Sequence, residues 1–481
     1  MVDYLYSSIE MTKTSHRPPG NRKGYSEDLI RLRENVAALD IGSEEHYASV
    51  PEERDTQHVR HFGCTTPELA QLATWLRECE IGEVVMESTG VYWVPVFEFL
   101  QDKGFRVCLV DGRAVKNVPG RKSDVEDSQW IRIVFSYGLI RPCFLPDKEL
   151  STIRSYWRQR ASHVQACAQQ IHMMHKALEQ MNVQLHKVLS DVTGVAGMAI
   201  LRAIVQGERN PEKLASLVTT RVKHGRDKFI AALTGHYRDE HVFALTQALQ
   251  TFDFFQQQMK ACDEQISVCL SSMPSKELPN DQEGSHISGD PGALASTKSA
   301  GRRKNQPYFD LKVELARIVG SDVTVLPGID SLTAQTIFSE CGYQLAAFPN
   351  EGHFSSYLGL CSANNKTGGK VKSGRTRRVT NRAAIAFRVA AQSLHRSHSA
   401  IGAFSRRMRA RLGPAKAITA TAHKLAVLFY RSVRYGQAYV EIGSQLYEEN
   451  YQKQQQKYLE KNARIMGFQL VPIQQSSQSV S

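Results

Sequence analysis

The sequence predicts an α/β domain followed by a mainly helical remainder, and three observations carry that prediction. Short apolar runs alternate with helical periodicity between residues 36 and 112. From about Leu150 the apolar spacing becomes helical and stays so. Residues 271–307 contain no Phe, Trp or Tyr and are dominated by Ser, Pro, Gly, Asp and Lys, which separates a last globular stretch from what precedes it. The 481 residues are enough for two or three domains with their own cores.

Residues 1–34 read as a flexible polar leader containing Pro18, Pro19 and Gly20. VAALDIG (Val36 to Gly42) is an apolar strand ending in an acid and a glycine. HYASV (His46 to Val50) is its hairpin partner and HVRHFGC (His58 to Cys64) a third strand. Thr66 caps a helix, Pro67 fits its first turn, and Leu69, Leu72 and Leu76 repeat at helical spacing. GEVVMESTG (Gly82 to Gly90) is the next strand. A helix with Trp93, Val96, Phe97 and Leu100 on one face follows, and FRVCLVDG (Phe105 to Gly112) is another buried strand. Three antiparallel strands and then helix–strand–helix–strand is the order of a ribonuclease-H-like, RuvC-like mixed sheet covered by helices, placed at residues 35–148.

Residues 149–270 are helical. Ile153, Trp157, Val164, Ile171 and Leu178 recur at roughly heptad spacing, and a second helical stretch runs from about Val242 to Leu270. A coiled coil, antiparallel or intermolecular, and an ordinary helical bundle both satisfy this pattern. The linker at 271–307 leads to a basic C-terminal domain at 308–443. There VLPGIDSLTAQTIFSECG (Val325 to Gly342) sets Pro-Gly-Ile between two helical segments, a helix-hairpin-helix-like pattern that presents backbone amides to phosphate. Residues 444–481 read as a charged helix and a disordered tail.

Composition narrows the partners. The chain carries 60 Lys+Arg against 48 Asp+Glu, a net charge of +12, which favours a polyanion. The nine cysteines form no Cys-x-x-Cys pair and no zinc-finger spacing, so free thiols in a reducing compartment are expected. No signal-peptide core and no membrane-length apolar run occur, which predicts a cytoplasmic protein without a membrane partner.

Two groups of residues carry candidate chemistry. Asp40 and Glu87 each end an apolar strand, and a parallel pairing brings both to one sheet edge. Asp124 and Asp127, three apart in RKSDVEDSQW, share one helix face, while Glu126 points elsewhere. Four acids at one edge repel unless a cation neutralises them, and hard oxygen donors suit Mg²⁺ or Mn²⁺. Two such ions roughly 4 Å apart clamp the attacking and leaving oxygens of a phosphodiester. Taken singly, an aspartate after a strand is a turn former, and LDIG also suits a nucleotide-phosphate turn of the actin-like sugar kinases. The second group is basic: between Gly352 and Val440 there is no Asp or Glu. Lys366, Lys370, Lys372, Arg375, Arg377, Arg378 and Arg382 cluster there with Gly368 and Gly369, which allow close approach to phosphate. His423 lies on an apolar helix face, where a packed histidine is the simpler reading than a catalytic one.

LDIG, MESTGVYW and Lys122-Ser123-Asp124-x-x-Asp127 resemble the DEDD transposases of the insertion-sequence one-ten family. The resemblance extends through Val192 to Ala215, Val325 to Gly342, Phe354 to Ala384 and Arg411 to Ala426, covering roughly residues 35–470. It implies a transposase with a RuvC-like metal domain and a C-terminal domain that carries a nucleophilic serine. It implies DNA as donor and target, a structured bridge RNA as guide, and dimers that join into a tetramer. The family's serine lies in Ser-Gly-Gly-Lys, whereas this chain reads Thr367-Gly368-Gly369-Lys370. Thr367 therefore stands at the nucleophile's position, with a β-methyl that crowds in-line attack. Ser362 and Ser373 lie nearby but off the motif. A water-using junction nuclease with the same acids, a decayed nucleic-acid-binding protein, and a Thr367 that only shapes a phosphate-binding turn remain alternatives.

Overall fold

The computed structural model describes residues 31–87, 90–112, 115, 124–218, 225–276, 305–362, 365–368, 370–377, 379, 381–436 and 443–471. The expected leader up to residue 30, most of the linker (277–304), Gly369, Arg378 and the last ten residues lie outside them. The chain divides into two compact units, Met1–Leu145 and Pro146–Ser481.

The first unit is a five-stranded mixed sheet in the order β3-β2-β1-β4-β5. β1 (Val36–Ile41), β2 (Glu45–Ser49) and β3 (Val59–Gly63) pair antiparallel in sequence. Helix α1 (Thr66–Glu78) precedes β4 (Glu83–Glu87), which returns parallel to β1; α2 (Trp93–Asp102) precedes β5 (Arg106–Val110), parallel to β4. α3 (Asp124–Ser136) closes the unit. β1 and β4 are central and covered on both faces, which is why they read as continuous apolar runs rather than alternating ones. On one face Leu69, Leu72, Leu76, Val96 and Leu100 of α1 and α2 pack on Ala37, Leu39, Val84 and Met86. On the other, Trp130, Ile131, Val134 and Phe135 of α3 pack on Val36, Ala38, Val85 and Val110. The α1 cap is Thr65, one residue before the expected Thr66: its backbone N–H donates to Glu68 Oε2 at 3.0 Å, so the reciprocal box spans Thr65 to Glu68.

The second unit is organised by two helices, α4 (Lys148–Gln180) and α9 (Asp239–Ser271), each of 33 residues and therefore about 50 Å long. They pack antiparallel along their length. Between them in sequence lie the short α5 (Leu185–Val188), α6 (Val195–Val205), α7 (Pro211–Ser216) and α8 (Arg226–Leu233). These pack against one end of the pair, around Met174, Leu178, Leu245, Leu249 and Phe252. At the other end Leu150, Ile153, Trp157, Ile266 and Leu270 belong to the core of the C-terminal helices. Those are α10 (Leu311–Val319), α11 (Ser331–Cys341), α12 (Glu351–Tyr357), α13 (Arg382–Ser393), α14 (Ala400–Leu412), α15 (Pro414–Tyr435) and α16 (Gly443–Ile465). α10 and α11 are joined by residues 320–330, which hold a 3₁₀ turn (Val323–Val325) and then Pro327-Gly328-Ile329, with Gly328 at φ +83° and Asp330 capping α11; Pro-Gly-Ile thus follows a short turn where the sequence predicted a helical segment.

Polar contacts fix the pair to the C-terminal helices. Arg158 donates to both carboxylate oxygens of Glu340, at 2.9 and 2.7 Å. Arg154 donates to the carbonyls of Ser339 and Glu340, which satisfies the otherwise orphaned end of α11. Arg160 is buried against Asp263 and also donates to the Asn305 carbonyl at 2.9 Å, while Asp263 accepts from Tyr308 N–H. Removing one member of such a pair strands a buried charge, at a cost of about 3–5 kcal/mol. We expect Asp263→Ala to lower the denaturant-unfolding free energy of this unit by about that amount. The double change Arg160→Met with Asp263→Leu should recover most of it; equal losses in the single and double variants would show the pair to be unimportant.

Candidate active site

The register of β1 on β4 runs from Val36↔Glu83 to Leu39↔Met86, so Asp40 and Glu87 are the next pair outward. Side chains alternate along a strand, so Asp40 follows Val36 and Ala38 on the face beneath α3, and Glu87 follows Val85 there. Both acids are half-buried at the C-terminal ends of parallel strands, where open sheets place their sites. α3 supplies the third acid. Asp127 lies four and seven residues before Ile131 and Val134, which press on the same sheet face, so it occupies the sheet-facing stripe. Asp124 is the first residue of α3, and its side chain lies outside the described atoms. The backbone thus brings three of the expected acids, Asp40, Glu87 and Asp127, to one face of one domain, with Asp124 one turn before Asp127 in the chain. Among the described side chains, no group of three or more His, Cys, Asp or Glu closes to a metal-holding arrangement. The donor chemistry, carboxylate oxygen throughout, fits a hard divalent cation.

Two neighbours were not found by sequence reasoning. Tyr47 is directly opposite Asp40 in the antiparallel pairing and shares its face, and His61 is opposite Tyr47. A row His61–Tyr47–Asp40–Glu87 therefore crosses four strands. Tyr47 Oη donates to Glu45 Oε1 at 3.0 Å, and its ring centroid lies 6.2 Å from that of His61. The second neighbour is Gly112. A Cβ there would fall 1.9 Å from Glu87 Oε1 and 2.5 Å from its Cδ, so the carboxylate occupies the space a side chain would take. Neither signal is local in sequence: one requires the strand register, the other a contact across the β4–β5 edge. Beside this edge, burial first and the charge of Asp111 second push the Cys143 thiol above its ordinary pKa.

The expected hydroxyl lies in the second unit. β6 (Asn365–Thr367) and β7 (Lys370–Ser373) form a hairpin with Thr367 paired to Lys370, and Gly368 turns the chain at φ +56°. Thr367 is exposed, and among the described residues its hydroxyl has no hydrogen-bond partner. The nearby serines are engaged: Ser362 Oγ donates to the Gly374 carbonyl at 3.0 Å, and Ser373 Oγ accepts from Arg375 N–H at 3.2 Å.

The basic residues divide in the same way. Lys370, Arg375 and Arg382 are exposed, whereas Arg377 also reaches back to the Ser356 and Tyr357 carbonyls at 3.4 Å. Arg382 opens α13, whose first turn has no acid. A cation at a helix N-terminus opposes the dipole, so its place there is not explained by helix stability. Lys366 and Lys372 lie on β6 and β7, with side chains outside the described atoms. Part of the one-signed stretch is neutralised by acids just beyond its ends: Arg431 binds Glu351 at 2.8 Å, and Arg407 faces Glu448 at 3.6 Å. His423 is half-buried on α15, and burial lowers its pKa, as a packed histidine requires.

Two family models match the chain. The IS110 DEDD model, described as Transposase, matches residues 37–183, and Transposase IS116/IS110/IS902 family matches residues 321–406. The chain belongs to the IS110 family of transposases. No curated protein matches it. The first matched segment contains all four acids and the second contains the Thr367 hairpin, so the transposase carries both candidate groups within family-defined regions. It is an enzyme acting on DNA, and its DEDD domain makes it dependent on a divalent metal. Among the described residues, no helix is long and apolar enough to cross a membrane.

A methyl at Gly112 must displace the Glu87 carboxylate, the movable end of a flexible side chain, rather than backbone. We expect Gly112→Ala to leave thermal unfolding nearly unchanged and to raise the metal concentration needed for half-maximal DNA cleavage by about tenfold, in the range seen for outer-shell changes at metal sites. An unchanged metal titration would show that Glu87 is not held by this contact.

Proposed function

We propose that this transposase cuts and rejoins DNA through a covalent protein–DNA intermediate. Mg²⁺, or Mn²⁺, is held by Asp40, Glu87, Asp124 and Asp127, and Thr367 Oγ1 is the nucleophile. The observation that carries the proposal is the placement of Asp40 and Glu87 side by side on the face that also receives Asp127. Carboxylate oxygens gathered at one sheet edge are the donors that a hard divalent cation takes. When bound, the metal supplies charge neutralisation for the phosphodiester and lowers the pKa of an oxygen nucleophile.

The chain's own residues do the rest. In the attack the Thr367 Oγ1–phosphorus bond forms, the hydroxyl proton passes to a base, and a sugar oxygen leaves; in rejoining, a DNA hydroxyl displaces Thr367. An exposed hydroxyl without a partner is suited to this role, and those of Ser362 and Ser373 are occupied. Arg375, whose guanidinium is exposed, and Lys370, across from Thr367, are the nearest candidates for the scissile phosphate. Lys366, Lys372, Arg377, Arg378 and Arg382 extend the basic surface, and Gly368 and Gly369 let phosphate approach the backbone. The family resemblance adds a structured bridge RNA as guide and dimers or tetramers as the working assembly; the heptad spacing adds a coiled-coil role for the α4/α9 pair, and we place the enzyme in the cytoplasm.

We expect Asp40→Asn, Glu87→Gln, Asp124→Asn and Asp127→Asn each to abolish cleavage while leaving nucleic-acid binding within a few-fold. Normal cleavage by Asp40→Asn in Mg²⁺ would refute the assignment. Denaturing electrophoresis of labelled DNA tests the hydroxyl: Thr367→Ser should form at least as much protein–DNA adduct as the natural protein, and Thr367→Ala none. Free cut ends without adduct would instead identify a water-using nuclease. Binding should weaken with salt with a log–log slope of roughly −0.9 per duplex phosphate neutralised, and a flat response would remove the basic surface from the reading.

A further inference from the structure

Immediately beyond Glu87 the chain does something that packing does not require. Gly90 adopts φ +55°, and the following Val91 and Tyr92 are 73% and 48% exposed. The next residue, Trp93, turns inward, 5.6 Å from Phe97 in an edge-on contact, and joins the core beneath α1 and α2. Inward-facing apolar positions of α2 are thus filled from Trp93 onward, and Val91 and Tyr92 are left outside. The Tyr92 ring lies against Gly90: a Cβ on that glycine would be 3.6 Å from Cδ2, in ordinary contact. Among the described residues the Tyr92 hydroxyl has no partner. It caps nothing either, because Tyr92 is the N-cap position of α2 with helical backbone angles and no side-chain cap hydrogen bond.

An exposed aromatic beside an exposed aliphatic marks a contact surface when it is contiguous with a functional site. Here the pair begins four residues after a candidate metal ligand, at the C-terminal end of the parallel strand that presents it. Among the described residues of 31–145, the other exposed large hydrophobic side chains are Leu32, before the opposite end of β1 from Asp40, and Leu139, beyond the C-terminal end of α3. The substrate of a transposase is DNA, and a base has an apolar π-face next to a charged backbone. A tyrosine ring is a sequence-tolerant platform for such a base.

Resting on the carboxylate reading above, we propose that Tyr92, with Val91 beside it, stacks on a nucleobase next to the phosphate cut at the carboxylate centre and so positions the strand. The ring does this and the hydroxyl does not. The test uses the full-length protein and DNA bearing the ends of its own element, with photoreactive 4-thiothymidine placed at successive positions on either side of the cut. The expected result is a crosslinked peptide containing Tyr92, from one or two adjacent thymidine positions. Tyr92→Ala should lose that crosslink, keep crosslinks to the basic C-terminal unit, and lower cleavage about tenfold at subsaturating DNA. Tyr92→Phe should retain both crosslink and cleavage. Both variants should melt with the natural protein, because the ring is half exposed; a large loss of Tm in Tyr92→Ala would overturn the proposal by giving the ring a structural task. Unchanged cleavage in Tyr92→Ala, or a Tyr92→Phe variant as defective as Tyr92→Ala, would also overturn it. Failure of the carboxylate reading is separately visible as cleavage by Asp40→Asn.

Discussion

The parallel register of β1 on β4 is the constraint on which the first unit depends. It is fixed by two buried faces at once: Ala37, Leu39, Val84 and Met86 under α1 and α2, and Val36, Ala38 and Val85 under α3. A slip of one residue would exchange the two sets. It would turn Asp40 toward the opposite core, where an unpaired carboxylate is costly. Packing therefore compels Asp40 and Glu87 to emerge together. Like charges at one sheet edge repel, so the pairing that gives the sheet its stability also brings together two carboxylates that the proposed metal would neutralise. α3 adds a third, since the stripe that holds it on the sheet through Ile131 and Val134 also carries Asp127.

In the second unit the equivalent constraint is the antiparallel pairing of α4 and α9. Neither end of this pair is free-standing. One end contributes Trp157 and Ile266 to the C-terminal core, and the other contributes Leu178 and Phe252 to a separate core with α6–α8. The buried Arg160–Asp263 pair lies between them and takes in the backbone of Asn305 and Tyr308, where the C-terminal helices begin. Apolar packing tolerates sliding along a helix pair, whereas a guanidinium with a fixed fork of donors does not. The pair therefore fixes the axial position of α9 on α4, and hence of both cores relative to each other.

Much of the first unit was legible in the sequence because its signals are local. The run VAALDI, the acid at its end, and the order of strands and helices follow from short-range pattern, and Asp127 could be placed by its spacing from Ile131. Tyr47 and Gly112 were not legible: their relation to Asp40 and Glu87 exists only across strands, and nothing within either segment encodes the register. The same limit applies to the long helices. Heptad spacing in Ile153, Trp157 and Leu178 shows which face is buried but not what buries it, so the sequence left coiled coil and bundle open; the structure shows an intramolecular antiparallel pair that serves two cores. The basic stretch was legible as charge, but not as charge partly used by the fold. Glu351 and Glu448, which bind Arg431 and Arg407, lie just outside the acid-free segment and are invisible to a count made within it.

The hairpin at Thr367 shows how one residue meets two requirements that pull apart. A two-residue hairpin turn favours positive φ at its central positions, which Gly368 satisfies at +56° and which the Gly-Gly pair permits without strain. The residue before the turn ends a strand, and a β-branched side chain suits that place better than serine does. Threonine also restricts χ1, so its hydroxyl points in fewer directions than a serine hydroxyl would. The methyl that crowds an approaching phosphate is thus the same group that stiffens the strand and narrows the directions of the oxygen. Steric hindrance acts on the approach, and rotamer restriction lowers the entropy lost in reaching the reactive geometry. The two effects oppose each other, so a threonine at this position is compatible with a working nucleophile, one that a serine, free of the hindering methyl, at least equals on this exposed, glycine-flanked turn.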